Sequence, residues 1–512
     1  MDKVAIGALA GLLGLGLYRV SQRAKQSRFP PGPKSSWWGG VEMPKLYPWL
    51  VFAEWQDIYG DVIYVRQFGS PILILNSQRA ITDLLENRGN VYSSRPRRVM
   101  ANELMGWDWM FSTMTYGPRW RKHRALFQKY FHVRTSSHYQ PTQEKEAYTL
   151  LRNLLDTPEE FSYHVRRLAA AIFMNLSYGH QIKDDGDEFV AIANKATSNL
   201  ARAGIFGTYI VDYFPWLKHI PSWMATFRRD AIEWRKSTET MINYPYDQLR
   251  ERMAAGIAPP SFASSELENA MRSGITAERE QIIKNVAGMS FAAGSDTTAS
   301  AVMSFILAMV IHPEIQLAAQ EELACVIGTD RLPRFSDRDS LPMVECLVWE
   351  SLRWNPVTPL GLQHFTTEDD VYRDWFIPKG TTVFTNIWKL LHDDEVYPNP
   401  LSFLPWRFMD RNKNDELGIN PHPMPAFGFG RRVCPGRHMA IDTIWITIAT
   451  ILAVYEIRKA LDKDGKPIEP DTEYVSSFLS RPKPFQCQFR PRSESARLLI
   501  RHSVEWPSAP IV

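Results

Sequence analysis

Residues 277 to 312, AEREQIIKNVAGMSFAAGSDTTASAVMSFILAMVIH, hold helical periodicity without a proline until Pro313 stops them. At about 1.5 Å per residue such a helix runs about 54 Å, so it crosses a whole domain and the remaining chain must pack around it. Its centre differs from its ends. Gly294, Ser295, Asp296, Thr297 and Thr298 interrupt the apolar turns, where glycine alone costs roughly 1 kcal/mol relative to alanine and a buried carboxylate needs a partner. A threonine hydroxyl bonded back to the preceding turn loosens a helix. The stretch therefore reads either as a satisfied polar kink or as a groove holding water, in which Asp296 and Thr297 pass protons.

A helix of that length needs a large core, which 512 residues with 45% apolar content supply. From Trp37 to about Ser77, short alternating runs such as DVIYVRQFG and PILILN predict strands. Beyond residue 80 the helical period dominates, and after residue 35 there is no repeat or low-complexity linker. Residues 37–512 thus read as one mainly α domain with a small β-sheet subdomain. Residues 206 to 223, FGTYIVDYFPWLKHIPSW, break the helical pattern and predict a loop, either packed on the core or dipping into a membrane. A net charge of +3 without a basic-aromatic stripe argues against nucleic acid as a partner. Cys325, Cys346, Cys434 and Cys487 are too scattered for a disulfide framework or a cysteine-rich zinc site.

Val4 to Tyr18 is an uncharged apolar run followed by Arg19, Arg23, Lys25 and Arg28. That order favours a retained anchor over residues 1–20 rather than a cleaved signal, with the body on the cytosolic side. Residues 21–36, basic and then proline-rich in FPPGPK, predict a stiff hinge. The sequon Asn175-Leu176-Ser177 is expected to stay unmodified in a cytosolic body.

Glu350 and Arg353 share one side of a helix in VWESLRWNP, and Arg407 follows in FLPWRF. Alone, the first pair is an ordinary surface ion pair; with Arg407 it becomes a candidate buried network. In FGFGRRVCPG, glycines allow tight backbone and an apolar helix follows Gly436, placing Cys434 where N–H groups stabilise an anion. A lone thiolate suits haem iron better than zinc, and Arg432 could neutralise a propionate. A free structural cysteine is the alternative for this stretch alone.

Taken together, the motifs closely resemble the cytochrome P450 family over residues 30 to 490. FGFGRRVCPG matches its haem-ligand signature, AGSDTT its oxygen-activation segment, ESLR its Glu-x-x-Arg motif, and Trp120 with Arg124 its Trp-x-x-x-Arg. The resemblance implies the P450 fold with an N-terminal membrane anchor and haem b (iron protoporphyrin IX). It implies Cys434 as iron ligand within a segment that includes Phe427 and Gly436, and Trp120, Arg124, His364 and Arg432 at the propionates. It gives Asp296 and Thr297 a proton relay, and Glu350, Arg353 and Arg407 a structural triad. One departure is Trp406, where the family usually has Glu; that Glu is not the triad's carboxylate, so the expected change is confined to packing at the loop surface.

By the same resemblance the chain is a monooxygenase of the endoplasmic reticulum membrane, single-pass with a cytosolic catalytic domain. Its electrons would come from NADPH through a separate cytochrome P450 reductase, with cytochrome b5 as a second donor. The stretches RWNPVTPLGLQH and YRDWFIPKGTTVFTNIWKLLHDDEVYPNP resemble fungal enzymes of secondary metabolism, which implies an apolar terpenoid, polyketide or indole substrate. The competing function is a haem-thiolate isomerase or ligand-binding haem protein that does not activate oxygen; Asp296-Thr297 argues against it, because such a protein needs no proton relay.

Overall fold

The computed structural model describes residues 29–34, 40–184, 186–203, 207–409 and 422–503. The anchor expected over residues 1–20 and the hinge up to residue 28 lie outside the described residues.

Strands β1 (Val62–Gln67) and β2 (Ser70–Leu75) form a hairpin with Val62 opposite Leu75, turned by Phe68 and Gly69 at positive φ. Four short strands follow much later: β3 (His364–Phe365), β4 (Asp370–Tyr372), β5 (Trp375–Ile377) and β6 (Thr382–Thr385). β2 pairs parallel with β6, and β6 antiparallel with β3, giving the order β1-β2-β6-β3. Strands β7 (Tyr455–Lys459) and β8 (Cys487–Pro491) make a separate antiparallel pair, as do β4 and β5. The hairpin is apolar on both faces because it divides two cores. Val62, Tyr64, Leu73 and Leu75 face the main core, while Ile63, Val65, Ile72 and Ile74 face a smaller one with Trp49 and Phe52.

The reading of strands from Trp37 onward needs correction at its start, since Pro48–Tyr59 is a helix. Proline opens its first turn, and Trp49, Phe52 and Trp55 at three-residue spacing cover the outer face of the sheet. The hinge reading also changes. Tyr64 N–H donates to Pro31 O at 2.9 Å, Phe29 stacks on Tyr64 at 4.6 Å, and a Cβ on Gly32 would lie 2.0 Å from Tyr64 O. Residues 29–34 are therefore fastened to β1, and the body begins before residue 37.

Ala277–Ile311 is one helix of 35 residues, capped by the Thr276 hydroxyl, which accepts from Arg279 N–H. It is buried from Ile282 through Val310 except around its polar centre. Helices Pro118–Phe131, Phe161–Tyr178, Pro342–Trp354 and Arg437–Val454 pack on it. This helix and Arg437–Val454 are apolar and long enough to cross a membrane, yet 67% and 78% of their most apolar stretches are buried in the protein. They are core elements. The sequon lies in Phe161–Tyr178, with the Ser177 hydroxyl against that of Ser290 in the interior. No disulfide joins any of the four cysteines.

Candidate active site

The polar centre of the long helix does not open it. Thr297 Oγ1 donates to Ala293 O at 2.7 Å, and Ser295 and Ser300 bond back to Phe291 and Asp296 carbonyls in the same way, all within continuous helix. Gly294 has a different reason from the expected groove: a Cβ there would come within 2.2 Å of the Phe173 ring, so glycine admits that ring against the helix. The free space lies beside this turn instead. A cavity of about 300 Å³ is lined by Gly294, Asp296, Thr297, Thr298 and also by Cys434.

Two elements bring Cys434 to this wall. Residues 424–432 form two short 3-10 turns linked through Gly428 at φ 78, and Arg437–Val454 starts one residue after Gly436. Cys434 N–H donates to Phe427 O at 2.8 Å, which closes the loop. Burial pushes the thiol pKa up, opposed by the Gly436 N–H and by the charges of Arg124 and Arg437. Gly430 is forced by the close approach of Leu85 O, 2.4 Å from a would-be Cβ. Gly436 is not conformationally forced: its φ is −93°, and a Cβ would touch nothing nearer than Phe127 at 4.0 Å. Its missing side chain leaves room in the cavity wall.

Trp120 and Arg124 lie one turn apart on Pro118–Phe131 and both line the cavity. Arg124 is 8% exposed and has no hydrogen bond or ion pair among the described residues. Burial lowers its pKa to about 10, while the Cys434 charge pulls it upward. Arg432 lies over the Trp120 ring at 4.4 Å and, among the described residues, donates only to the carbonyls of Ser93, Phe111 and Met114. Its pKa falls to about 9 through burial and the nearby Arg124. Two buried cations without a carboxylate fit a dianionic group such as the propionate edge of haem, and the thiol and the space beside Gly436 fit its iron and ring.

His364 also lines the cavity, and its Nδ1 lies 2.8 Å from Tyr92 O. Facing a carbonyl, Nδ1 carries the proton, so the neutral ring offers Nε2 as an acceptor. Donation from Nε2 to a propionate requires the imidazolium, which burial and then the charges of Arg95 and Arg432 oppose, holding the pKa well below the usual range. Arg95 escaped the sequence reading. It is buried, donates to the carbonyls of Ser112, Leu362 and Gln363, and ties both sides of the cavity together. The signal was present in SSRPRR, where three arginines crowd an otherwise apolar stretch, but nothing local marks which one turns inward.

Asp296 is half-buried, with no side-chain hydrogen bond among the described residues. It lines the large cavity and a void of about 10 Å³ shared with Arg166, Asn194 and Thr197, which has room for one water. Glu350, Arg353 and Arg407 stand apart from the cavity. Arg353 Nε and Nη2 fork onto Glu350 at 2.7 and 2.8 Å, and Arg407 Nε lies 3.3 Å from the same carboxylate. Trp406 is 46% exposed beside this network.

Residues 30–489 match the profile of the Cytochrome P450 family. Among curated proteins, Cytochrome P450 monooxygenase COX2 of Coprinopsis cinerea is 40% identical over 98% of this chain and 97% of its own length. Tryptamine 4-monooxygenase of Psilocybe cyanescens is 40% identical over 94% of this chain and 97% of its own. Cytochrome P450 monooxygenase ple1 of Rhodocybe pseudopiperita is 37% identical over 96% and 95%.

Proposed function

This chain belongs to the cytochrome P450 family and is a monooxygenase, and we propose that Cys434 is the ligand of its haem iron, with Arg124, Arg432 and Trp120 at the propionates. The observation that carries this is the meeting of one thiol and two carboxylate-free guanidinium groups at a single cavity. Bound there, haem would supply the binding and reductive activation of dioxygen.

The chain's own residues supply protons and position. Thr297 Oγ1 spends its proton on Ala293 O, so its lone pairs are left to hold a water at the cavity wall. Asp296 borders the cavity on one side and the one-water void with Arg166 on the other, which suits its carboxylate to moving protons inward. Phe111, Phe173, Met289, Leu362 and Phe478 give the cavity an apolar wall that excludes water from the reacting carbon.

The substrate is a small molecule. As the finer reading, it is an apolar terpenoid, polyketide or indole of fungal secondary metabolism, and the relative named for tryptamine supports the indole class. Electrons come from NADPH through cytochrome P450 reductase, with cytochrome b5 as a second donor. In support, the helix carrying Arg124 and the turn after it present Arg121 and Arg134 to solvent, beside Lys122 and Lys129, which pair with Glu278 and Glu266, a basic edge for an acidic partner. Residence at the endoplasmic reticulum membrane is supported by the loop that broke the helical pattern. Trp216, Trp223 and Met224 are 65%, 78% and 62% exposed there, and exposed Phe68 packs on Tyr213 and Phe214 beside them.

The test is the carbon monoxide difference spectrum of the reduced protein. The parent should give the thiolate-type Soret band and Cys434→Ser should lose it; a parent spectrum of the imidazole-ligated type would remove Cys434 from the iron.

A further inference from the structure

Helix Phe161–Tyr178 packs along the long helix, and Arg166, Ala170 and Phe173, four and three residues apart, share one of its faces. Phe173 is the ring that Gly294 admits, and it lines the large cavity. Ala170 and Arg166, successive turns away from it, border the void of about 10 Å³ that Asp296 also lines. One helix face therefore leads from the cavity wall to a partly exposed arginine.

The void has room for one water, and its polar lining would orient that water. Ser295 Oγ and Thr197 Oγ1 spend their protons on Phe291 O and Ala193 O, which leaves them lone pairs only. Asp296 brings a carboxylate. The side chains that bring N–H donors to the void are Arg166 and Asn194. A water accepting from Arg166 turns its own hydrogens toward the oxygens, the Asp296 carboxylate among them.

Arg166 is available for this, unlike its neighbour. Arg167 is bonded to Glu146 and to the carbonyls of Ile182 and Lys183, whereas the Arg166 guanidinium makes no hydrogen bond or ion pair among the described residues. Burial and then the charge of Arg481 lower its pKa, and the carboxylate that opposes them is Asp296. A guanidinium stays charged, so it can hold a water without giving up its own proton. Arg166 and Asn194 are both partly exposed, which opens the outer side of the void to solvent, while Asp296 and Thr197 border the void and the cavity alike.

We propose that Arg166 is a positioning residue for proton supply: it holds one water in the void between helices Phe161–Tyr178, Glu188–Ala203 and Ala277–Ile311, and through that water protons reach Asp296 from solvent. Each transfer moves one proton from solvent to the void water as that water gives one to the carboxylate. The carboxylic acid then passes its proton to the water at Thr297, so Arg166 and Asp296 both end as they began. This rests on the proton movement assigned to Asp296 and gives it an entrance.

The test is made on the full-length, haem-loaded enzyme. A crystal structure of the parent should hold one ordered water within about 3.2 Å of both the Arg166 guanidinium and the Asp296 carboxylate, and Arg166→Met should lack it. NADPH oxidation with the reductase, which needs no organic substrate, gives the second readout. It should slow about hundredfold in Asp296→Asn, the low end of what a proton-transfer residue is worth, and about tenfold in Arg166→Met. The slowing in Arg166→Met should be larger in D2O than in H2O, should be largely reversed in Arg166→Lys, which keeps a cationic donor, and should vanish when Asp296→Asn is already present.

A dry void in the parent overturns the inference, as does an Arg166→Met enzyme that keeps the parent's rate or a slowing that Asp296→Asn leaves undiminished. If Arg166→Met fails to load haem, Asn194→Leu, which takes the other donor from the void, decides. A slowing that disappears beside Asp296→Asn then supports the inference, and a parent-like rate overturns it. Failure of the Asp296 reading is separately visible, because Asp296→Asn would then oxidise NADPH as fast as the parent, and the role of Arg166 would fall with it.

Discussion

Arg353 and Arg124 are both buried arginines, at 0% and 8% exposure, and they are used in opposite ways. Arg353 sends Nε and Nη2 to Glu350, Nη1 to the carbonyls of Leu391 and Pro400, and Nη2 also to Ser402 O. Every N–H of the group has an acceptor inside the chain. Arg124 has none among the described residues, and Arg432 beside it has only carbonyls. A closed set of bonds marks a cluster that holds the chain together, whereas buried charge left without its opposite marks a place prepared for something else.

The most severe way to break this contrast is Arg353→Ala. Removing the closer side of a fully desolvated pair leaves Glu350 with only the longer contact to Arg407 and strips the carbonyls of Leu391, Pro400 and Ser402 of their donor, a loss of about 3–5 kcal/mol, and the yield and unfolding midpoint should collapse with it. A variant as stable as its parent would show the cluster to be dispensable. Arg124→Met should do the reverse. Haem should transfer to excess apomyoglobin about tenfold faster, since a hydrogen bond to a charged group contributes about 1.5–3 kcal/mol. The haem-free protein should unfold no more easily, because a partnerless buried charge is gone.

A smaller effect comes from His364. Its folded pKa lies well below the ordinary value of about 6.5, so the folded ring stays neutral while the unfolded ring takes up a proton as pH falls. The stability this contributes is present above pH about 6.5 and is lost below it, by at most about 1.4 kcal/mol per pH unit. Urea midpoints of the haem-free protein at pH 7 and 5 should therefore converge in His364→Phe relative to the parent; equal slopes would place the lost stability elsewhere. The smallest effect belongs to Trp406→Glu, which restores the acidic residue usual beside the triad. Being exposed and outside the Glu350 bonds, it should shift stability within about 0.5 kcal/mol.

The two clusters also differed in how far they could be read in advance. Long helix Ala277–Ile311 and the loop around Cys434 were legible because periodicity, proline and glycine act locally. Pro48–Tyr59 was misread because a short amphipathic helix beside alternating strands gives a mixed period. Gly294 was misread because the ring it admits, Phe173, comes from a helix more than a hundred residues away in sequence. Arg95 could not be singled out at all, since an arginine among arginines differs only in what surrounds it.

The sequence by itself determined the chemistry available: one cysteine in a glycine-bounded loop, an acid and an alcohol in an apolar helix, and a Glu-x-x-Arg pair with a distant arginine. Those depend on residue type and short spacing, which the chain carries wherever it folds. Only the tertiary structure decided which charges are balanced. Whether a buried guanidinium finds an acceptor depends on groups brought from remote segments, as with Arg353 and Ser402 or Arg124 and the cavity wall beside Cys434.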